Sequence, residues 1–147
     1  MLNVSSATSN WGKRHLAGLA LGVLGIIGAM LPWGRIAFLT VNGTDGDGVI
    51  TLILSLAFMA AVALNGMGSI KLGWTALACA LLGGAIAGIG IDHWADLESL
   101  DTRVTDRISI SVRVGTGLIL TAVVGVTMIA YAAFLSIRLI QAKRQVD

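Results

Sequence analysis

The chain has 147 residues, of which 56% are hydrophobic and only 12% charged, with a formal net charge of +2 and a mean hydropathy of +0.87. A water-soluble domain carries about 25% charged residues, so this composition excludes a soluble globular domain and an intrinsically disordered chain. The small net charge gives no grounds for a nucleic-acid partner.

The apolar residues are clustered. Leu16–Trp33, Val49–Leu64, Leu72–Ile91 and Val114–Leu139 contain no Asp, Glu or His, and Arg138 is the only cation, at the very end of the last run. Crossing about 30 Å of hydrocarbon takes roughly 20 apolar residues. The first, third and fourth runs reach this length, and the shorter second run suffices where the bilayer thins. The expected fold class is an all-α membrane protein. It is a single domain over 1–147, a bundle of four transmembrane helices at about 15–33, 49–66, 72–91 and 114–139, with longer loops at 34–48 and 92–113. Lys13, Arg14 and His15 before the first run resemble a signal-peptide start, but no small-x-small cleavage site follows, so the helix is read as retained.

Charge sets the expected orientation. Lys13, Arg14, Lys71, Arg138, Lys143 and Arg144 fall on the side of the termini. The other side holds Arg35, Arg103, Arg107 and Arg113 together with every acid except Asp147. The acid-poor side is read as cytoplasmic, giving a multi-pass plasma-membrane protein with both termini inside. All four tryptophans, Trp11, Trp33, Trp74 and Trp94, fall at expected helix boundaries, as membrane-interface anchors do.

Lipid tails are as apolar as leucine, so helices in a bilayer associate through small residues that let backbones approach. Helix 1 offers Gly18, Gly22 and Gly25. Helix 3 offers Ala76, Ala80, Gly84 and Gly88 at four-residue spacing, and helix 4 offers Gly117, Thr121 and Gly125. The spans contain no acid and no cation except Arg138 at the end of the last, and proton relays and ion paths plant such groups there despite their cost. Cys79, the lone cysteine, has neither a disulfide partner nor an acid or histidine neighbour in its helix. No catalytic residues are therefore assigned, and the chain is read as a non-enzyme.

In the first loop, Arg35–Val41 is β-prone and Asn42-Gly43 is a turn signal. In the last loop, Trp94, Leu97 and Leu100 share one helical face, which predicts a short amphipathic helix lying on the membrane surface. Arg107–Val114 alternates as a strand with one apolar face. The two strands are expected to pair into a small extracellular β-element, because unpaired backbone beside a membrane is costly.

Between them the first loop carries Asn42-Gly43-Thr44-Asp45-Gly46-Asp47-Gly48. With Gly48 as the turn glycine of a calcium loop, Asp45 and Asp47 fall on ligand positions and Ile50 on the apolar one. Gly43 stands where the first Asp belongs and Leu54 where the closing Glu belongs. The stretch reads first as a turn, with Asp47 capping the next helix. The alternative is a Ca²⁺ site completed by Asp92 and Asp96 from the other loop, with Glu98 or Asp101 in reach. A zinc site at His93 with Asp92 and Asp96 is a weaker alternative.

Pro32-Trp33, the Gly43-x-Asp45-Gly46-Asp47-Gly48 stretch with its Ile-Thr-Leu entry to helix 2, and Val114-Gly115-Thr116-Gly117-Leu118 together resemble a group of small four-helix membrane proteins of high-GC Gram-positive bacteria. That group carries no known function to transfer. The topology is similar to a miniature claudin without the claudin loop signature, which is architectural analogy only. Three functions follow as expectations. The first is a non-enzymatic tetraspan scaffold or accessory subunit for other membrane proteins, or a homo-oligomer. The second is a homo-oligomeric channel with an acidic outer vestibule. The third is a calcium-responsive outer-face module.

Overall fold

The computed structural model describes residues 12–36, 39–105 and 112–144. In chain order it contains α1 (Lys13–Met30), β1 (Pro32–Ile36), β2 (Leu39–Asn42), a 3₁₀ turn (Gly43–Asp45), α2 (Gly48–Gly66), α3 (Leu72–Thr105), β3 (Val112–Val114) and α4 (Thr116–Arg144). All four α-helices are long and apolar enough to cross a bilayer. They close a ring in which α1 packs on α2 and α4, and α3 packs on α2 and, most extensively, on α4.

The core is built by Phe58 and Val62 of α2, Cys79 and Ile86 of α3, and Val124, Met128 and Ala132 of α4. Helix α1 contributes an inward face of glycines, Gly18, Gly22, Gly25 and Gly28, all buried. A Cβ placed there would meet Tyr131 and Val62 at Gly18, Met59 at Gly22, Ser55 at Gly25 and Thr121 at Gly28. The side chains of α2 and α4 thus fill the space that the glycines of α1 leave, which is how close packing replaces the hydrophobic drive in lipid. The α2–α3 turn ends α2 in a Schellman motif: Gly68, at φ +76°, donates to the Asn65 carbonyl and Ser69 donates to the Leu64 carbonyl.

Helix α3 corrects two expectations. Gly84 and Gly88 are exposed, and a Cβ at either would meet nothing within 4 Å. The glycines that meet α4 are Gly73, against Leu139, Gly83, against Met128 and Gly125, and Gly90, against Ala122. Ala76 is buried and Ala80 packs partly on the core, so the stripe foreseen at strict four-residue spacing drifts off the interface after Ala80. An α-helix turns 3.6 residues per repeat, and a four-residue stripe rotates away from a partner that runs nearly parallel.

The second correction concerns the segment expected to lie on the membrane as a separate helix. It continues α3 without a break through Thr105. From Ile91 to Thr105 there is neither Gly nor Pro to stop it. At about 1.5 Å per residue its 34 residues reach about 50 Å, well beyond the hydrocarbon.

Above the bundle sits a three-stranded antiparallel sheet in the order β2-β1-β3. The pairing expected between the two loops is present as β1 on β3, with Gly34 opposite Val114, Arg35 opposite Arg113 and Ile36 opposite Val112. The single strand expected over 35–41 is instead a hairpin, with Ile36 opposite Leu39 and Arg35 opposite Thr40. The part of the alternating stretch before Val112 lies outside the described residues. The sheet leans on the extension of α3, where a Cβ at Gly34 would touch Leu97 at 3.4 Å.

Candidate functional site

The junction between sheet and bundle is where the chain's polar and aromatic residues converge. Trp33 enters it from β1. It is only 5% exposed, and its Nε1–H donates to the Gly28 carbonyl at 3.1 Å. The indole expected as an interface anchor is thus buried between α1 and the cap. Trp74 is 67% exposed and Trp94 39% exposed, while Trp11 lies outside the described residues.

Against Trp33 stands His93 of α3, edge to face, with ring centroids 5.3 Å apart and planes at 74°. His93 Nδ1 lies 3.0 Å from the Ile89 carbonyl, one turn earlier in its own helix. A carbonyl only accepts, so Nδ1 carries a proton. Nε2 lies 3.3 Å from an Asp47 carboxylate oxygen. Through these two contacts the ring ties α3 to the start of α2.

Asp47 does occupy the N-cap position of α2, but its side chain makes no capping bond; its carbonyl accepts from Thr51 instead. The carboxylate has turned to His93. Asp45 is likewise engaged, accepting from the Asn42 backbone N–H at 3.1 Å. Asp92 and Asp96 lie exposed on α3. Among the described residues no three His, Cys, Asp or Glu side chains form a group able to hold a metal ion. Of the carboxylates expected to hold Ca²⁺, Asp47 contacts His93, Asp45 accepts from the Asn42 backbone N–H, and Asp92 and Asp96 stand exposed on α3. His93, expected as a zinc ligand with Asp92 and Asp96, has its ring nitrogens toward Ile89 and Asp47.

The glycines of the loop serve close approach. A Cβ on Gly43 would run into the Ala29 carbonyl and the Trp33 indole nitrogen, and one on Gly48 would run into the Gly43 carbonyl. Gly43 N–H donates to the Leu31 carbonyl at 3.2 Å and Gly115 N–H to the Trp33 carbonyl at 2.8 Å, which stitches loop, sheet and helix ends together.

Beneath the loop is a cavity of about 160 Å³ with an apolar floor of Trp33, Leu97 and Leu118 and a rim including Asp45, Asp47 and His93. Among the described residues its lining contains no Ser, Thr, Cys or Lys. The His93–Asp47 contact joins the loop below the cap to α3. Asp47 was legible in the sequence as a loop carboxylate and His93 as an isolated histidine. Their pairing was not, because 46 residues separate them and no spacing rule links the two. The pair is half-exposed, at 34% for His93 and 51% for Asp47, so Asp47→Asn should lower stability by less than about 1 kcal/mol, read as a small drop in thermal midpoint in detergent.

A second polar tie, also missed in the sequence, closes the opposite end. His15 is buried at 2% exposure, with Nε2 3.3 Å from Asn65 Oδ1, while Asn65 Nδ2 donates to the Ile70 carbonyl. Tyr131 Oη donates to the Arg14 carbonyl at 3.1 Å, joining α4 to α1.

No protein-family model, curated protein or solved structure matches the chain.

Proposed function

We propose that the protein is a non-enzymatic, multi-pass membrane subunit that scaffolds or assists other membrane proteins, with a partner's transmembrane helix docked along the outward face of α3. The observation that carries this reading is the placement of Gly84 and Gly88. They form a Gly-x-x-x-Gly pair that no part of the bundle covers, on a helix whose internal contact with α4 is already served by Gly83, Ala87 and Gly90. Small residues four apart let a second helix approach closely enough for backbone van der Waals and Cα–H···O contacts. Leu77, Leu81 and Ile91, also exposed, flank the groove and supply side-chain contact to its sides.

The cap supports the same reading. Its edge strand β2 is exposed at all four residues, including Leu39 and Val41, and offers unpaired backbone to a partner beside the membrane. The orientation that fits the charge distribution places the basic helix ends and both termini in the cytoplasm and the cap outside.

The test is recovery of partners from native membranes with tagged full-length protein and with the Gly84→Leu/Gly88→Leu variant. The wild type should bring down a larger membrane protein and the variant should lose it at unchanged expression and helicity. Equal recovery by both would remove the α3 face from the proposal. Association only between tagged and untagged copies would make the chain a homo-oligomer instead.

A further inference from the structure

At the end of the bundle opposite the cap, a crevice of about 590 Å³ opens between the start of α1 and the last turns of α4. Its cationic part is Lys13, Arg14 and Arg138, and its apolar wall is Ala17, Tyr131 and Phe134. Among the described residues no carboxylate lines it and none of the three cations forms a salt bridge. Helix α1 adds to the positive field. Its first turn has no acid and no side-chain cap, and that turn, with Gly12, Lys13 and Arg14, lines the crevice. The Arg138 guanidinium sits 5.3 Å over the Phe134 ring, which holds the charge at the mouth of the crevice while the ring lines its wall.

The depth of the crevice matches a lipid's polar–apolar boundary. Arg138 lies about 33 Å along α4 from Thr116, and α1 from Lys13 to Met30 spans about 27 Å. Both place the three cations at the edge of a hydrocarbon layer about 30 Å thick, with Ala17, Tyr131 and Phe134 on its apolar side. A ligand that fits has an anionic phosphate at one end and an acyl chain at the other.

We infer that this crevice binds an anionic glycerophospholipid, with its phosphodiester held by Lys13, Arg14 and Arg138 and its proximal acyl chain along Ala17, Tyr131 and Phe134. Basic pockets between transmembrane helices recognise such headgroups through the same combination of charge and apolar wall. The inference rests on the bundle lying in a membrane, but not on the partner-docking face of α3, from which the crevice is distinct.

The test uses the full chain in a neutral maltoside detergent and native mass spectrometry, with phosphatidylglycerol and phosphatidylcholine of identical chains added at equal concentration, and inorganic phosphate as competitor. Phosphatidylglycerol should be retained in preference, and Lys13→Gln, Arg14→Gln and Arg138→Gln should each reduce that preference about fivefold. Arg138→Lys keeps the charge and should keep most of the preference, which separates loss of the site from loss of folding. Ala17→Phe fills the apolar wall and should weaken retention of both lipids. Lys71→Gln, at the same end of the bundle but outside the crevice, should change nothing, and so should Gly84→Leu. Equal retention of the two lipids, or a drop with Lys71→Gln as large as with Arg138→Gln, would overturn the proposal. Displacement of the lipid by millimolar phosphate would reduce it to a phosphate site and overturn the lipid assignment.

Discussion

Gly125→Leu is expected to break the α3–α4 interface and expose the single cysteine of the protein to a membrane-permeant maleimide. At this point α3 and α4 touch backbone to backbone. A Cβ on Gly125 would run into the backbone of Ala87 in α3, one on Gly83 would sit 3.1 Å from the Gly125 carbonyl, and one on Gly90 would sit 2.9 Å from Ala122 Cα. No long side chain lies in between that could swing aside, so the helices must separate to admit the leucine. Overpacking of a well-packed core costs about 1–3 kcal/mol where side chains can adjust, and the rigid contact here puts the cost at or above the upper end. Insertion and helicity should survive, since helices in lipid are stable before they associate.

Cys79 reports the damage. It is fully buried in the core beside Phe58 and Met128 and is the chain's only cysteine. Labelling of the wild type should be slow and that of Gly125→Leu at least tenfold faster. Gly84→Leu, whose Cβ would meet nothing within 4 Å among the described residues, should leave Cys79 protected. Similar labelling rates for Gly125→Leu and Gly84→Leu would contradict the assignment of faces on α3.

Gly48→Ala is the second large effect, and it separates a packed junction from a cation loop. The new Cβ would meet the carbonyl of Gly43, a residue at which a Cβ would itself run into the Ala29 carbonyl and the Trp33 indole. Relief requires the 3₁₀ turn to lift away from α1, which pulls on the Gly43 N–H bond to Leu31 and on the Trp33 bond to Gly28. A cost of about 1–3 kcal/mol follows from the overpacking alone. Hydrogen exchange should show residues 31–36 and 39–48 deprotected, equally in calcium and in chelator. Asp45→Ala and Asp47→Ala should disturb the same region less. Exchange protection that depends on calcium, or a larger effect of Asp47→Ala than of Gly48→Ala, would return the loop to a metal-binding role.

The cap shows how far local patterns reach. The alternating residues ending at Val114 and the β-prone run after Arg35 announced strands, and β1 and β3 do pair. Those patterns could not show that the first run folds back on itself with Ile36 opposite Leu39, because nothing like Asn-Gly stands at that bend. The Asn42-Gly43 signal was instead spent on a 3₁₀ turn. Nor did side-chain type foretell that Trp33 would turn inward, since an indole at a helix end serves equally as an interface anchor and as a plug.

Composition and the lengths of the apolar runs determine by themselves four helices long and apolar enough to cross a membrane, because those runs hold almost no charge. Only the tertiary structure decided which way each helix faces, that α3 runs on to Thr105, and that Asp47 meets His93. In a soluble helix, the contrast between polar and apolar residues marks the buried side. In a bilayer both sides are apolar, and Gly83 and Gly84 stand side by side with nothing in their chemistry to tell the packed one from the open one. That choice is made by the shape of the neighbouring helix, which a single sequence read along its length does not display.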